Sequence, residues 1–319
     1  VHKLPSFLVG YYQYTASARL LQEAEIFSEK QLPRAGKVCI IKPAIHGLAG
    51  MSPKNEEMNM ILVVDIGNTT VSFGGVEISY PNAYRVRFRT KLDTNSTWDA
   101  ADYTVHLLKR LKTLGRELED FSGVVISSVV PRVLEVMVES CYSIFGVAPL
   151  VITQESRLGL TVEVPHPEKV GRDRLVDSAW ACAHYPLPLV TVDLGTATTF
   201  NVIKEGAVFL GGVICPGMET GLRALSGHTA QLPMLELEDP GHVVGKDTAE
   251  CMRSGAVYGS AALVDGIVRS IEEELGSPVS LVITGGGARY IDHLVRHAHD
   301  YDPDMILKGL AYLYTLNKK

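Results

Sequence analysis

Two short segments of the 319-residue chain share one arrangement of chemically useful groups: Val63-Val64-Asp65-Ile66-Gly67-Asn68-Thr69-Thr70-Val71 and Thr191-Val192-Asp193-Leu194-Gly195-Thr196-Ala197-Thr198-Thr199. In each, a β-branched run ends in Asp, then Gly, then small hydroxyl residues, before a second strand-like run. Glycine lets the backbone turn tightly and approach a ligand, the exposed N–H groups of such a turn cradle phosphate oxygens, and the carboxylate can hold a hydrated Mg²⁺. A lone Asp-x-Gly more often marks an ordinary turn. Its repetition, with the glycine run Thr284-Gly285-Gly286-Gly287 placed after a strand, points to two halves facing one phosphorylated ligand. A third segment, Gly171-Arg172-Asp173-Arg174, sets a carboxylate between two cations. Alone, such a run is usually a solvated charge pair; beside a phosphate site, the carboxylate can take a proton from an alcohol.

The elements that must position these groups alternate along the chain. Strands are expected at Ile61–Asp65, Val71–Ile78 and Tyr84–Arg89, and a helix over Thr97–Leu114, capped by Ser96 or Thr97, with Leu107, Leu108, Leu111 and Leu114 on one face. A strand at Val124–Ser128 and a helix opening at Pro131 follow. A second cycle begins at Leu189–Asp193, passes a hairpin near Lys204-Glu205-Gly206, and continues through a long helix over Asp247–Glu274 and a strand at Leu281–Thr284. The repeated order predicts a duplicated α/β fold with a cleft between the copies, a helix near Arg174–His184 joining them. Residues 1–59 carry no motif beyond one short helical pattern at Ala16–Glu29. They read as an N-terminal extension, native or the product of an upstream start, ahead of domains at 60–178 and 179–319.

Bulk properties narrow the function. A 46% hydrophobic content supports large cores, and a net charge of −6 without clustered Lys and Arg argues against a nucleic-acid partner. Five scattered cysteines, none in a Cys-x-x-Cys pair, signal neither a zinc site nor a disulfide framework and suggest a cytoplasmic protein. No apolar run reaches membrane-spanning length, so no membrane partner is expected. A P-loop pattern is absent. His293 and His297, spaced as helical neighbours, lack the glutamate of a zinc-protease motif and read as surface residues.

The order of the two Asp-x-Gly turns and the distal glycines resembles the superfamily of actin, sugar kinases and acetate kinase. Finer spellings, Asp65 to Thr69, Ser127-Ser128-Val129-Val130-Pro131, Gly171 to Arg174, Asp193 to Thr198, Gly211 to Gly217, Thr229-Ala230-Gln231-Leu232-Pro233 and Thr284 to Gly286, resemble type III pantothenate kinase from Met60 onward. That resemblance implies two ribonuclease-H-like domains, with mixed sheets flanked by helices and a nucleotide cleft between them. It also implies a homodimer that phosphorylates pantothenate with ATP, Mg²⁺ and a monovalent cation, K⁺ or NH₄⁺. By the same resemblance Asp65, Ile66, Gly67, Asn68, Thr69, Thr70, Val71 and Ser72 form the ATP-phosphate turn and Thr196 is a second ATP contact. Gly171, Arg172, Asp173, Arg174 and Thr248 bind pantothenate, Asp173 is the base, and Asp193 holds the monovalent cation. Val164-Pro165-His166-Pro167 departs from the family's aromatic and Asn-Pro, and Arg172 replaces a residue that is often small. Two rival classes are a nucleotide-binding regulator without turnover and a related kinase acting on another alcohol.

Overall fold

A computed structural model describes residues 59–79, 83–228 and 232–318. The expected extension, its helix at Ala16–Glu29, and Thr229, Ala230 and Gln231 of one motif lie outside the described residues. Strands β1 (Asn59–Ile66), β2 (Thr70–Ser79) and β3 (Ala83–Asp93) form an antiparallel meander. Helix α1 (Ala100–Thr113) leads to β4 (Phe121–Ser128), which lies parallel to β1, then to α2 (Pro131–Phe145) and β5 (Leu150–Val151). After β6 (Thr161–Val162) and α3 (Arg172–His184), the plan recurs. Strands β7 (Leu189–Leu194), β8 (Ala197–Lys204) and β9 (Val208–Pro216) form a second meander. Helices α4 (Met218–His228) and α5 (Thr248–Leu275) precede β10 (Ser280–Thr284), which is parallel to β7. The short α6 (Ala288–Ile291), β11 (Asp300–Tyr301) and α7 (Met305–Asn317) complete the chain.

The first sheet has the order β3-β2-β1-β4-β5 and the second β11-β10-β7-β8-β9-β6. Read from its β9 side, the second sheet repeats the first strand for strand, β9-β8-β7-β10-β11, with β6 added at the edge. This is the duplicated ribonuclease-H-like arrangement of two mixed sheets flanked by helices.

Alternation puts one side of each strand row into each core. Leu62, Val64, Ile66, Val71 and Phe73 pack under α1 and α2 through Tyr103, Leu107, Val133 and Met137. The opposite face, Ile61, Val63, Val76 and Val125, meets Val176 of α3 and Leu307, Leu310 and Leu313 of α7. Leu175, Trp180 and Met305 then join α3 and α7 to Leu189, Ile203, Phe209 and Val282 of the second sheet. Helices α3 and α7 therefore fill the space between the sheets. The last helix of the chain has returned to the first sheet, and the division expected between residues 178 and 179 falls inside α3.

One helix start differs from expectation. Asp99, not Ser96 or Thr97, caps α1: its carboxylate accepts the Asp102 N–H, and Asp102 accepts the Asp99 N–H. Thr97 donates instead to the Asn95 side chain through both its N–H and its hydroxyl. That local turn holds the earlier residues out of the helix.

Candidate active site

Each meander delivers an aspartate to the end of its central strand. Asp65 stands one residue from the end of β1, and the Gly67 N–H then bonds back to the Thr70 carbonyl at 2.9 Å, closing the turn. Thr94 donates its N–H to the Thr69 carbonyl and its hydroxyl to the Gly67 carbonyl, tying the end of β3 over that turn. In the second meander Asp193 occupies the matching place on β7, and the Gly195 N–H bonds to the Ala197 carbonyl at 3.0 Å. The Thr196 carbonyl accepts from the Gly217 N–H and the Thr220 hydroxyl, which fastens this second turn to the start of α4. The two turns meet: the Thr69 and Thr196 hydroxyls are 3.0 Å apart.

The glycine run after β10 packs against the second turn. Gly285 has φ +91°, and a Cβ there would overlap the Asp193 carboxylate and the Leu194 backbone. The Gly287 N–H bonds to the Leu194 carbonyl at 2.8 Å. The backbone can approach Asp193 this closely only without a side chain.

Helix α3 supplies the remaining acids. Gly171 precedes it, and a Cβ there would collide with the Asp173 carboxylate, so glycine leaves that group its place in the first turn. Asp177, one turn later on the same face, is 2% exposed, and its Oδ1 has no hydrogen-bond partner. Asp65, Asp173, Asp177 and Asp193 converge, and burial together with the neighbouring charges raises the carboxyls of Asp65, Asp177 and Asp193. Burial first, then the charges of Asp173 and Asp193, raise the Asp65 carboxyl from 3.8 to about 7, against the opposing influence of Ser127 and Lys91. Burial and Asp173 lift Asp193 to about 6, again opposed by Lys91. Asp177 is pushed well above the carboxylate range by burial, then by Asp193, Asp173, Asp65 and Asp302. Such a cluster favours a cation or a proton among its oxygens.

The arginines beside Asp173 diverge. Arg174 donates through Nε to Asn201 Oδ1 at 2.6 Å and lies over the Phe209 ring, while Asn201 donates to Thr191 Oγ1 at 3.0 Å, so its guanidinium is anchored to the second sheet. Arg172 faces a separate cavity of about 780 Å³ shared with Gln154, Arg157, Leu160, Glu168 and Leu175. Thr248 also stands apart from the acids. It opens α5 just after the capping residue Asp247 and lines a groove of about 970 Å³ with Met218, Leu222, Lys246 and Cys251.

Among the described residues, no three Asp, Glu, His or Cys side chains stand together as a cage for a metal ion. This donor set fits Mg²⁺, which keeps several waters and takes one or two carboxylates together with phosphate oxygens. His293 and His297 do not share a helix: a 3₁₀ turn ends at Leu294, and His297 is held by Glu272 and Asp265.

The family model for type III pantothenate kinase matches residues 61–270. The chain belongs to the type III pantothenate kinase family. It is therefore a pantothenate kinase, a nucleotide-binding transferase of coenzyme A biosynthesis that uses ATP. Among solved structures, it is similar to a Campylobacter jejuni protein described as a candidate Baf family transcriptional activator. That match has 18% identity and TM-score 0.48, and covers 80% of this chain and 98% of the other. It is also similar to the ethanolamine utilization protein EutJ from Carboxydothermus hydrogenoformans, with 15% identity, TM-score 0.45 and coverage of 80% and 89%. A candidate 2-dehydro-3-deoxygalactonokinase from Sinorhizobium meliloti matches with 13% identity, TM-score 0.46 and coverage of 81% and 97%. At those scores the functions of these proteins do not transfer. No helix among the described residues is long and apolar enough to cross a membrane.

Three residues of the site escaped sequence reasoning. Asp177 carried a readable signal, a second Asp four residues after Asp173 on a helix. Ser127 was visible only as part of a motif. Lys91 gave no signal beyond strand alternation.

Proposed function

We propose that the enzyme transfers the γ-phosphoryl group of ATP to the primary hydroxyl of pantothenate, giving 4'-phosphopantothenate. The observation carrying this reading is the placement of Asp173, in the first turn of α3, among the two strand-end aspartates Asp65 and Asp193. A primary alcohol is a weak nucleophile at neutral pH. A carboxylate within hydrogen-bond reach must accept its proton as the phosphoryl group moves, and Asp173 is given that task.

The turn from Ile66 to Val71 receives the phosphates on the backbone N–H groups of Asn68 and Thr69, the Gly67 N–H being held by the Thr70 carbonyl, and on the hydroxyls of Thr69, Thr70 and Ser72; Thr196 meets them from the other half. Asp65 would hold the Mg²⁺ that accompanies ATP, and the ion would offset phosphate charge. Asp193 would hold K⁺ or NH₄⁺, a weakly hydrated cation that suits carboxylate and carbonyl oxygens. Gly171 keeps room for the acceptor hydroxyl beside Asp173, and Arg174 is the group assigned to the pantothenate carboxylate, while Arg172 faces its own cavity. Asn201 anchors Arg174 in place. Thr248 stands outside the acid cleft of its own chain, so its proposed contact with pantothenate is made across a homodimer. The compartment is proposed as the cytoplasm.

An assay coupled to ADP release tests the reading, with pantothenate as acceptor and Mg²⁺ and K⁺ present. Folded protein without pantothenate-dependent turnover would sink it. Asp173→Asn should lower kcat by about 100-fold or more without lowering the melting temperature; a variant with full kcat would remove Asp173 from the chemistry.

A further inference from the structure

The register of the first sheet places four polar side chains in one row across four strands. Lys91 of β3 pairs with Ser72 of β2, Ser72 with Asp65 of β1, and Asp65 with Ser127 of β4. Registered partners point to the same face of a sheet, so Lys91, Ser72, Asp65 and Ser127 all face the cleft. Their sequence neighbours Leu92, Val71 and Ile66 are buried under α1 and α2 on the other face. Two strand spacings, about 10 Å, separate Lys91 from Asp65, and an extended lysine spans most of that distance.

Lys91 follows Arg89 on the cleft face of β3; the register shift between Gly75 and Val76 turns Arg85, the register partner of Glu77, to the opposite face. Arg87 pairs with Glu77, and Arg89 pairs with Asp304 at the start of α7 at 3.0 Å. Lys91 has no salt bridge of that kind among the described residues. The carboxylates it influences are Asp65 and Asp193, one from each half of the cleft. In the second sheet the matching row is Ile214, Thr199, Asp193 and Thr284. The row is repeated position for position except at its outer end, where Lys91 has become Ile214. The cation has been placed at one turn only.

We propose that Lys91 is the side chain that receives the terminal phosphate of the nucleotide, exchanging its long-range attraction to Asp65 and Asp193 for direct contact with a γ-phosphoryl oxygen. This rests on the reading of the cleft as a nucleoside triphosphate site and adds to it a residue that discriminates triphosphate from diphosphate. Lys91 supplies positive charge where the transferred group carries most of its negative charge, and Ser72 beside it can donate to the same oxygens.

The test is equilibrium binding of ATP and of ADP, each with Mg²⁺, to the full chain. Lys91→Met should weaken ATP roughly tenfold or more and change ADP by less than about twofold, because only ATP reaches the lysine. Retained ADP affinity shows that the variant is folded, and Lys91→Arg should recover most of the loss. Equal weakening of both nucleotides, or no change in their ratio, overturns the assignment while leaving the kinase reading intact. Failure of the unaltered protein to bind either nucleotide would remove the nucleotide reading and this inference with it.

Discussion

Asp65→Asn replaces a carboxylate by an amide of nearly the same shape at a point in the cleft where burial, and then repulsion by Asp173 and Asp193, oppose its charge. The folded protein holds the Asp65 proton until about pH 7, whereas an unfolded chain releases it near 3.8. Between those values the native state binds the extra proton, so stability is full below pH 3.8 and falls as the pH rises toward 7. The whole interval corresponds to about 4 kcal/mol. Water in an open cleft and coupling to Asp193 reduce that to about 2 kcal/mol for this site. For a chain of this size, such a gain raises the melting temperature by about 5 °C. The assay is thermal unfolding of nucleotide-free protein at pH 4 and pH 8, with chelator present and tetramethylammonium as the only cation. Asp65→Asn should match the unaltered protein at pH 4 and melt higher at pH 8. A variant that melts lower at pH 8, or whose advantage is the same at both values, would refute the argument that burying an ionised Asp65 among the other acids of the empty cleft opposes folding. Adding Mg²⁺ and ATP should reverse the order, because the ligand stabilises only the protein that still has the carboxylate.

Two further substitutions test the scaffold. Gly285→Ala should lower the melting temperature by several degrees and impair activity, since φ +91° disfavours a side chain and the added methyl would overlap Asp193 and Leu194; unchanged melting would show that the turn after β10 can move away. Asp99→Ala should cost about 1 kcal/mol by removing the α1 cap while leaving kcat alone, and denaturant unfolding followed by circular dichroism would read that loss.

The duplicated order of elements and both aspartate turns were legible because they depend on local signals: β-branched runs, a glycine at a fixed offset, and helical spacing of apolar residues. The cap of α1 was missed because Asn95 captures Thr97, a local competition that composition does not rank. The glycines after β10 were legible only as a turn toward a phosphorylated ligand. What their backbone touches in the protein is the other phosphate turn, a contact made across the register of β10 and β7. Lys91 was invisible for a related reason. Its meaning comes from pairing through Ser72 to Asp65, and register between strands is set by packing that no single segment contains.

The two polar rows suggest how a duplicated scaffold supports an unsymmetrical reaction. In the first sheet the aspartate is flanked by Ser72 and Ser127 with Lys91 beyond; in the second it is flanked by Thr199 and Thr284 with Ile214 beyond. Serine and threonine offer the same hydroxyl, so both rows can serve an anion or a cation. The lysine breaks that equivalence by offering one turn a positive charge of its own. The second turn, which has none, would on the proposed reading take a bound cation to offset the charge of Asp193. Changing Ile214 to Lys should therefore weaken any requirement for a monovalent cation, because the row would then carry its own counter-charge. The first row, for the same reason, can accept phosphate directly.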